Sequence, residues 1–491
     1  MAADERPDWL PPPAATLATR DAALLRWPHA AAFLDAAAVL PLRRFGRRAD
    51  GVLLRSRDRA APSRPHWWIG DGFFRRVVRP GEDPPAVSLL VDDLGPPRDA
   101  RRESRLERIL TDAGLEAHAA RGADLRARIV SLRLAQECGG ADILPPLPTS
   151  GRRRILLVDQ RRGDPLLDGA AATAADLGTM AAAARREHPD ADLLLRTVPG
   201  GILGATAAAD LIRLDPGLSD HAALDLADEV WTVSAEIGFL AVLRKLKVAC
   251  FGLPFYAGWG LTLDRSSPAG AAALARRRPL SLDAFAAGII ALYPRYADPI
   301  LQTTLTAEAA LDRLADWRDR QRGPRRCYVC VGFVPWKRAI ARLYLVDAAA
   351  PPRFASPASL RRQPPPAETV ICAWGAELPE ADEAELRAGG RELLHMEDGF
   401  VRSVGLGSDF LLPASLVLDR SGLYFDATRP SDLETLLATT EFEPLLLARA
   451  AALRQRLVSA RLTKYNFADP IARPASATGR RLILVPAQVP G

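Results

Sequence analysis

Long apolar runs are missing from this chain. No stretch of roughly 18 or more uninterrupted apolar residues occurs, so no helix is expected to cross a bilayer and membrane contact would be peripheral. The amino terminus, Met1-Ala2-Ala3-Asp4-Glu5-Arg6-Pro7, lacks the basic-then-apolar layout of a signal peptide. Histidine is scarce: the six present form no His-x-x-His or His-Glu-x-x-His pair, which speaks against a transition-metal mechanism. Of five cysteines only Cys327 and Cys330 share a two-residue spacing. Without a second such pair, and inside the apolar run Cys327 to Val331, alternating burial on a strand explains them better than a zinc or redox site. A reducing cytoplasm is the matching compartment. There is no Gly-x-x-x-x-Gly-Lys-Ser/Thr loop and no Gly-x-Ser-x-Gly elbow, so ATPase and serine-hydrolase readings lose their usual support.

Charge of one sign is also nearly absent as a net quantity. Against 59 acidic residues stand 65 Lys and Arg, a formal charge of only +6, and nucleic acid is not an expected partner. The cations are mostly arginine, which suits phosphate or carboxylate recognition, although GC-rich coding bias gives the same enrichment.

What the 491 residues do contain is a core-forming share of 48% hydrophobic side chains, enough for two to four domains, and an internal repeat with a period of about 330 residues. Asp71-Gly72-Phe73-Phe74-Arg75 matches Asp398-Gly399-Phe400-Val401-Arg402, and Ser88 to Asp92 matches Ser415 to Asp419 in the same register, as Asp99-Ala100 matches Asp426-Ala427. Ile155 to Gln160 resembles Ile483 to Gln488, after which the second copy has no counterpart of Arg161 to Arg322. Apolar runs at Ile155 to Val158, Leu193 to Arg196, Glu229 to Val233, Val248 to Gly252 and Thr369 to Ala373 read as strands. Helices such as Ala170 to Arg186 and Ile237 to Leu246 lie between them, the βαβ pattern of parallel α/β domains. Pro- and Arg-rich joints place subdomains at 1–150, 151–322 and 323–491.

Two segments carry most of the specificity. Phe251-Gly252-Leu253-Pro254-Phe255-Tyr256-Ala257-Gly258-Trp259-Gly260-Leu261-Thr262 follows an apolar strand, its glycines permitting close backbone approach and its aromatics offering flat walls. By composition alone it serves a packed corner as well as a binding loop. Met396-Glu397-Asp398-Gly399-Phe400-Val401-Arg402 is continued by Leu416 to Asp419, Gly422 to Glu434 and Leu462-Thr463-Lys464-Tyr465-Asn466. Together with Tyr293-Pro294-Arg295-Tyr296 and Asp298-Pro299, these strings resemble the capsule polysaccharide biosynthesis proteins of the Kdo-transferase type.

That resemblance implies an α/β, GT-B-like pair of Rossmann-type subdomains, internally duplicated with the second copy incomplete. It implies transfer of 3-deoxy-manno-oct-2-ulosonic acid (Kdo) from CMP-Kdo to a lipid-linked Kdo primer with retention, at the cytoplasmic face of the inner membrane. CMP-Kdo is then the donor substrate and no further cofactor is expected; capsule assembly proteins are implied as partners. Retention needs a carboxylate near the anomeric carbon, and Asp164 falls on that position, although an Asp beyond a strand is also a common turn residue. By the same carry-over Gln160, Arg196, Ser234, Gly238, Tyr256 and Trp259 would serve the donor. Asp71, Arg75 and Asp92, with Glu397, Asp398 and Arg402 in the second copy, would serve the acceptor.

The chain departs from the family pattern in three places. Arg196-Thr197-Val198-Pro199-Gly200 stands where the family has Lys-Val-His-Pro-Asp, and Leu240 stands where Ser-x-x-Gly-Phe-Glu ends in its Glu, leaving Glu236 as a substitute ribose carboxylate. Gly70 replaces the Glu of Glu-Asp-Gly-Phe. A non-catalytic or truncated family member that binds capsule glycan or assembly partners is therefore the alternative.

Overall fold

The apolar runs become three main sheets in a computed structural model that describes residues 7–45, 48–56, 58, 64–78, 84–142, 151–206, 211–265, 270–321, 326–345, 348–405, 411–442, 444–466, 481 and 483. The chain divides into two units, Met1–Asp319 and Arg320–Gly491. The strands in chain order are β1 Thr16–Thr19, β2 Ala38–Pro41, β3 Gly51–Leu54, β4 His66–Asp71, β5 Arg76–Val77, β6 Ser88–Asp92 and β7 Glu137–Cys138. There follow β8 Arg154–Val158, β9 Asp192–Arg196, β10 Ile212–Leu214, β11 Glu229–Thr232, β12 Lys247–Cys250, β13 Leu263–Asp264, β14 Arg295–Ala297 and β15 Thr304–Leu305. The second unit holds β16 Tyr328–Val331, β17 Arg353–Ala355, β18 Val370–Trp374, β19 Leu393–Asp398 and β20 Leu416–Asp419.

The first unit contains a mixed sheet ordered β15-β14-β6-β4-β3-β1-β2 and a sheet ordered β10-β9-β8-β11-β12-β13, with β5 and β7 as a separate pair. The second sheet is parallel throughout. Its central strand shows why: Leu156 and Val158 enter one core cluster while Ile155 and Leu157 enter another, so helices must cover both faces. The stretch after residue 150 does not stay in that sheet. Tyr296 pairs with Ser88 and Arg295 with Leu89, so β14 and β15 return to the first sheet and cover the edge of β6. The expected helix from Ala170 to Arg186 is two, Pro165–Gly169 and Ala174–Glu187. Ala171 takes a left-handed conformation and Thr173 with Asp176 forms a capping box, restarting the helix. Among the described residues no helix is long and apolar enough to cross a membrane.

The second unit's sheet, β17-β16-β18-β19-β20, is parallel except for β20. Here the repeat becomes geometry. In the first unit β4 runs antiparallel to β6 with Asp71 opposite Leu89; in the second β19 runs antiparallel to β20 with Asp398 opposite Leu416. Ser88 Oγ donates to the Phe74 carbonyl and Ser415 Oγ to the Val401 carbonyl. A Cβ on Gly72 or Gly399 would collide with those serines, which is why both copies keep glycine. Asp92 accepts from the amides of Leu94, Gly95 and Arg105, and Asp419 from those of Ser421, Gly422 and Asp432. The last expected block of the repeat, Ile483 to Gln488, lies outside the described residues apart from Ile483.

Candidate functional site

The carboxyl ends of parallel strands are where an α/β sheet gathers ligand-binding groups, and β8 is followed at once by two buried polar residues, Asp159 and Gln160. Asp159 accepts from the amides of Gln160, Leu203 and Gly204 at 2.9, 2.8 and 2.7 Å, which pins the short helix Ile202–Thr206 that follows β9. Gln160 reaches sideways. Its Oε1 accepts from the Ser234 amide at 3.0 Å, and its Nε2 donates to Ser234 Oγ at 2.9 Å and to Asp164 Oδ2 at 3.4 Å. Three of the predicted residues, Gln160, Asp164 and Ser234, are thus tied together at the ends of β8 and β11.

Asp164 has two roles at once. Its Oδ1 accepts from the Leu166 amide at 3.0 Å and caps Pro165–Gly169, with Pro165 opening the helix, while Oδ2 faces Gln160. The turn-residue reading and the site reading describe different oxygens of one carboxylate.

Arg196 is bound to its own fold. It donates to the carbonyls of Asp215, Pro216 and Leu218 at 3.3, 3.4 and 2.7 Å and pairs with Asp220, so it braces the loop after β10. Gly238 lies in helix Ile237–Leu243, where a Cβ would collide with Tyr256 and Thr232; its smallness admits the tyrosine. Tyr256 and Trp259, expected as pocket walls, are fully buried instead. Tyr256 donates to the Ala235 carbonyl at 2.6 Å and Trp259 to the Phe255 carbonyl at 2.9 Å. Both aromatics satisfy their polar atoms inside the core, and Tyr256 supports the Ser234–Glu236 turn from beneath.

On the first sheet, Asp71 at the end of β4 pairs with Arg55 and Arg75, each at 3.0 Å. Burial alone would raise its carboxyl, but the guanidiniums of Arg55, Arg75 and Arg98 outweigh that and hold it below the usual range. Asp92 is fully buried and already accepts three amides and the Tyr293 hydroxyl, the latter at 2.8 Å; burial pushes its carboxyl up to about 6. With both oxygens engaged in this way, Asp92 positions the turn after β6. In the second unit Arg402 is buried, donating to Asp398 Oδ2 at 2.7 Å and Ser403 Oγ at 3.0 Å. Asp398 Oδ1 is buried without a hydrogen bond among the described residues, and Glu397 accepts from the Asp398 amide. The Leu462 to Asn466 segment docks here: Lys464 carbonyl accepts from the Arg402 amide at 2.9 Å and Asn466 donates to the Ser403 carbonyl at 3.0 Å.

Sequence reasoning missed Arg98. It pairs with Glu236, the residue before helix Ile237–Leu243, and stacks over the Phe73 and Phe255 rings at 5.0 and 5.7 Å. The signal available was the repeat itself, which sets Arg98 opposite Phe425 of the second copy. A cavity of about 180 Å³ adjoins Glu236, lined also by Phe73, Gln136, Glu137 and Asp220. The first unit thus brings a carboxylate–amide–hydroxyl group from one sheet close to an arginine-rich, acid-paired cluster from the other.

The model of the family described as "Capsule polysaccharide biosynthesis protein" matches residues 135–296 and 369–466. The chain belongs to that family. As a family member it is 31% identical over 441 residues to the capsule polysaccharide modification protein LipA of Neisseria meningitidis serogroup A / serotype 4A (strain DSM 15465 / Z2491), covering 86% of this chain and 62% of LipA. It is 32% identical over 263 residues to the lipopolysaccharide-processing protein LpsZ of Rhizobium meliloti, covering 51% of this chain and 59% of LpsZ. The chain thus spans about three fifths of the length of these relatives. Among solved structures, the β-Kdo 2,4 transferase of Thermosulfurimonas dismutans KpsC superimposes with a TM-score of 0.54 and 26% identity over 62% of this chain and 98% of that one. The fold of this capsule-family chain is GT-B-like.

Proposed function

We propose that the first unit is a retaining Kdo glycosyltransferase, taking Kdo from CMP-Kdo and placing it on a lipid-linked Kdo primer at a membrane surface. The observation that carries this reading is the Gln160 bridge between Asp164 and Ser234. It aims Asp164 Oδ2 out of its capping role and holds Ser234 at the entrance to helix Ile237–Leu243. In this reading Asp164 acts at the anomeric carbon, as nucleophile or ion-pair stabiliser. Ser234 and the turn above Tyr256 receive the nucleotide phosphate. Asp71 and Arg75 meet the acceptor. Similarity to the KpsC transferase adds weight to the choice of sugar.

A second reading, a non-catalytic family member that binds capsule glycan or assembly partners, is favoured by one observation. Arg196 is held by three carbonyls and Asp220, which leaves no cation on that strand end for a leaving phosphate.

The test is transfer from CMP-Kdo to a synthetic Kdo-terminated acceptor, comparing the full chain with Asp164→Asn. Asparagine keeps a capping oxygen, so the helix survives while the charge is lost. Turnover abolished by this substitution supports the transferase reading; absence of turnover and of CMP binding in the folded wild type leaves the second.

A further inference from the structure

The repeat extends into the helices that follow β6 and β20. Arg121, Leu125, Arg126, Arg128, Val130 and Ser131 of helix Ala119–Ser131 are matched in one register by Arg449, Leu453, Arg454, Arg456, Val458 and Ser459 of helix Pro444–Ser459. The helix ends agree in geometry as well. Arg133 and Arg461 both turn left-handed, at φ 50° and 52°, and the amides of Leu134 and Leu462 reach back to the carbonyls of Ile129 and Leu457 at 3.0 and 2.9 Å. Ser104 and Ser431 likewise cap the preceding helices, Arg105–Thr111 and Asp432–Thr439.

In the first unit later helices roof this pair. Leu110, Leu125 and Ile129 share one core with Phe285 and Ile290 and with Leu311 and Leu314 of helix Ala307–Gln321. The three arginines clamp the same roof: Arg121 grips Glu308 and Arg128 grips Asp312, each through two guanidinium nitrogens with the shortest bond at 2.8 Å, and Arg126 donates to Asp283 at 2.9 Å. The matching surface of the second unit is open among the described residues. Leu453 is 55% exposed where Leu125 is 1%, Val458 is 72% exposed, helix Asp432–Thr439 buries none of its residues, and the exposed Arg454 and Arg456 meet no described carboxylate. A contiguous apolar stripe of this kind marks an interaction site.

We propose that the exposed face of helices Asp432–Thr439 and Pro444–Ser459 is a docking surface for an amphipathic protein helix from outside these 491 residues, one that carries carboxylates a turn apart beside an apolar stripe. The first unit supplies the pattern. Glu308 and Asp312 stand one turn apart next to the buried Ala307, Leu311 and Leu314, and they meet arginines two turns apart on the opposing helix. Arg449 and Arg456 repeat that spacing in sequence. Charge and fit select the occupant. Residues 467–491 hold one acid, Asp469, against Arg473, Arg480 and Arg481, so they do not answer the arginines. A second copy fits poorly: its helix Ala307–Gln321 is engaged by its own Arg121 and Arg128, and Ala450 stands in the register of Gly122, where a Cβ would collide with the Asp283 carbonyl. A basic amphipathic helix also suits anionic lipid, but each matching arginine of the first unit meets a carboxylate on a protein segment.

The inference stands apart from the transferase reading, since neither Asp164 nor Ser234 enters it. The experiment measures fluorescence anisotropy of a labelled peptide of residues 306–321, stapled as a helix on the side away from Glu308 and Asp312, titrated with the full chain. Wild type is expected to bind it. Arg454→Glu combined with Arg456→Glu, both at exposed positions where the fold is indifferent, should weaken binding at least about tenfold. A peptide carrying Glu308→Arg and Asp312→Arg should bind that variant at least about tenfold more tightly than it binds wild type. Leu453→Asp should weaken both pairings. No binding of the peptide, or binding that the arginine reversal leaves unchanged, overturns the proposal. So does a wild-type dimer in sedimentation that Leu453→Asp dissociates, which would make a second copy the occupant, or phosphatidylglycerol vesicles competing the peptide off wild type, which would make it lipid.

Discussion

Phe73 and Phe400 hold the same place in the two copies of one motif, yet Phe73 is 2% exposed and Phe400 58%. The strand pairings, the serine bonds and the aspartate turns around them coincide. The difference lies in what covers them. Phe73 packs on the rings of Phe239, Phe255 and Tyr293, all from residues after 150. Leu110 and Leu437 show the same contrast, buried and exposed respectively, and Leu110 closes on Gly288.

Phe73→Ser is accordingly expected to destabilise the first unit by about 3 to 5 kcal/mol, the usual loss for a buried phenylalanine. Phe400→Ser should stay within about 0.5 kcal/mol. Hydrogen exchange followed by mass spectrometry reads each unit separately; equal loss of protection in both variants would contradict the exposure difference.

Asp92 and Asp419 are turn anchors of one design. Asp92→Ala strands the amides of Leu94, Gly95 and Arg105 and the Tyr293 hydroxyl, for an expected cost of about 3 kcal/mol in the first unit. Asp419→Ala should act in the second unit alone. Urea unfolding followed by exchange at β6 and β20 checks both.

Glu236 and Asp92 carry carboxyls raised to about 7 and about 6. Each binds its proton more tightly folded than unfolded, so between about pH 4.5 and 7 the folded unit holds more protons and its stability falls as pH rises. The expected result is a negative slope of the first unit's unfolding free energy over that window, flattened in Glu236→Gln. A slope that the substitution does not change would remove Glu236 as its source.

Arg196→Lys should not rescue Arg196→Ala. An ammonium cannot span the carbonyls of Asp215, Pro216 and Leu218 as the guanidinium fork does, and both variants are expected to lose about 1 to 3 kcal/mol. Rescue of stability by lysine would point to a purely electrostatic role.

Periodicity and local chemistry were enough for the strands from Ile155 to Val158 and Leu193 to Arg196, the repeat register, and the Asp164 turn, because each depends on neighbours in sequence. Whether an aromatic in the Phe251–Thr262 loop faces a ligand or the core depends on which helix packs against it, and Tyr256 and Trp259 turn inward onto Phe255 and Ala235. The Arg98–Glu236 pair joins residues from different sheets, and the exposure of Phe400 depends on what packs over its motif. The sequence by itself determined which residues stand at the strand ends. Only the tertiary structure decided which of them are engaged by the fold and which face a cleft, since that follows from contacts between segments far apart in the chain.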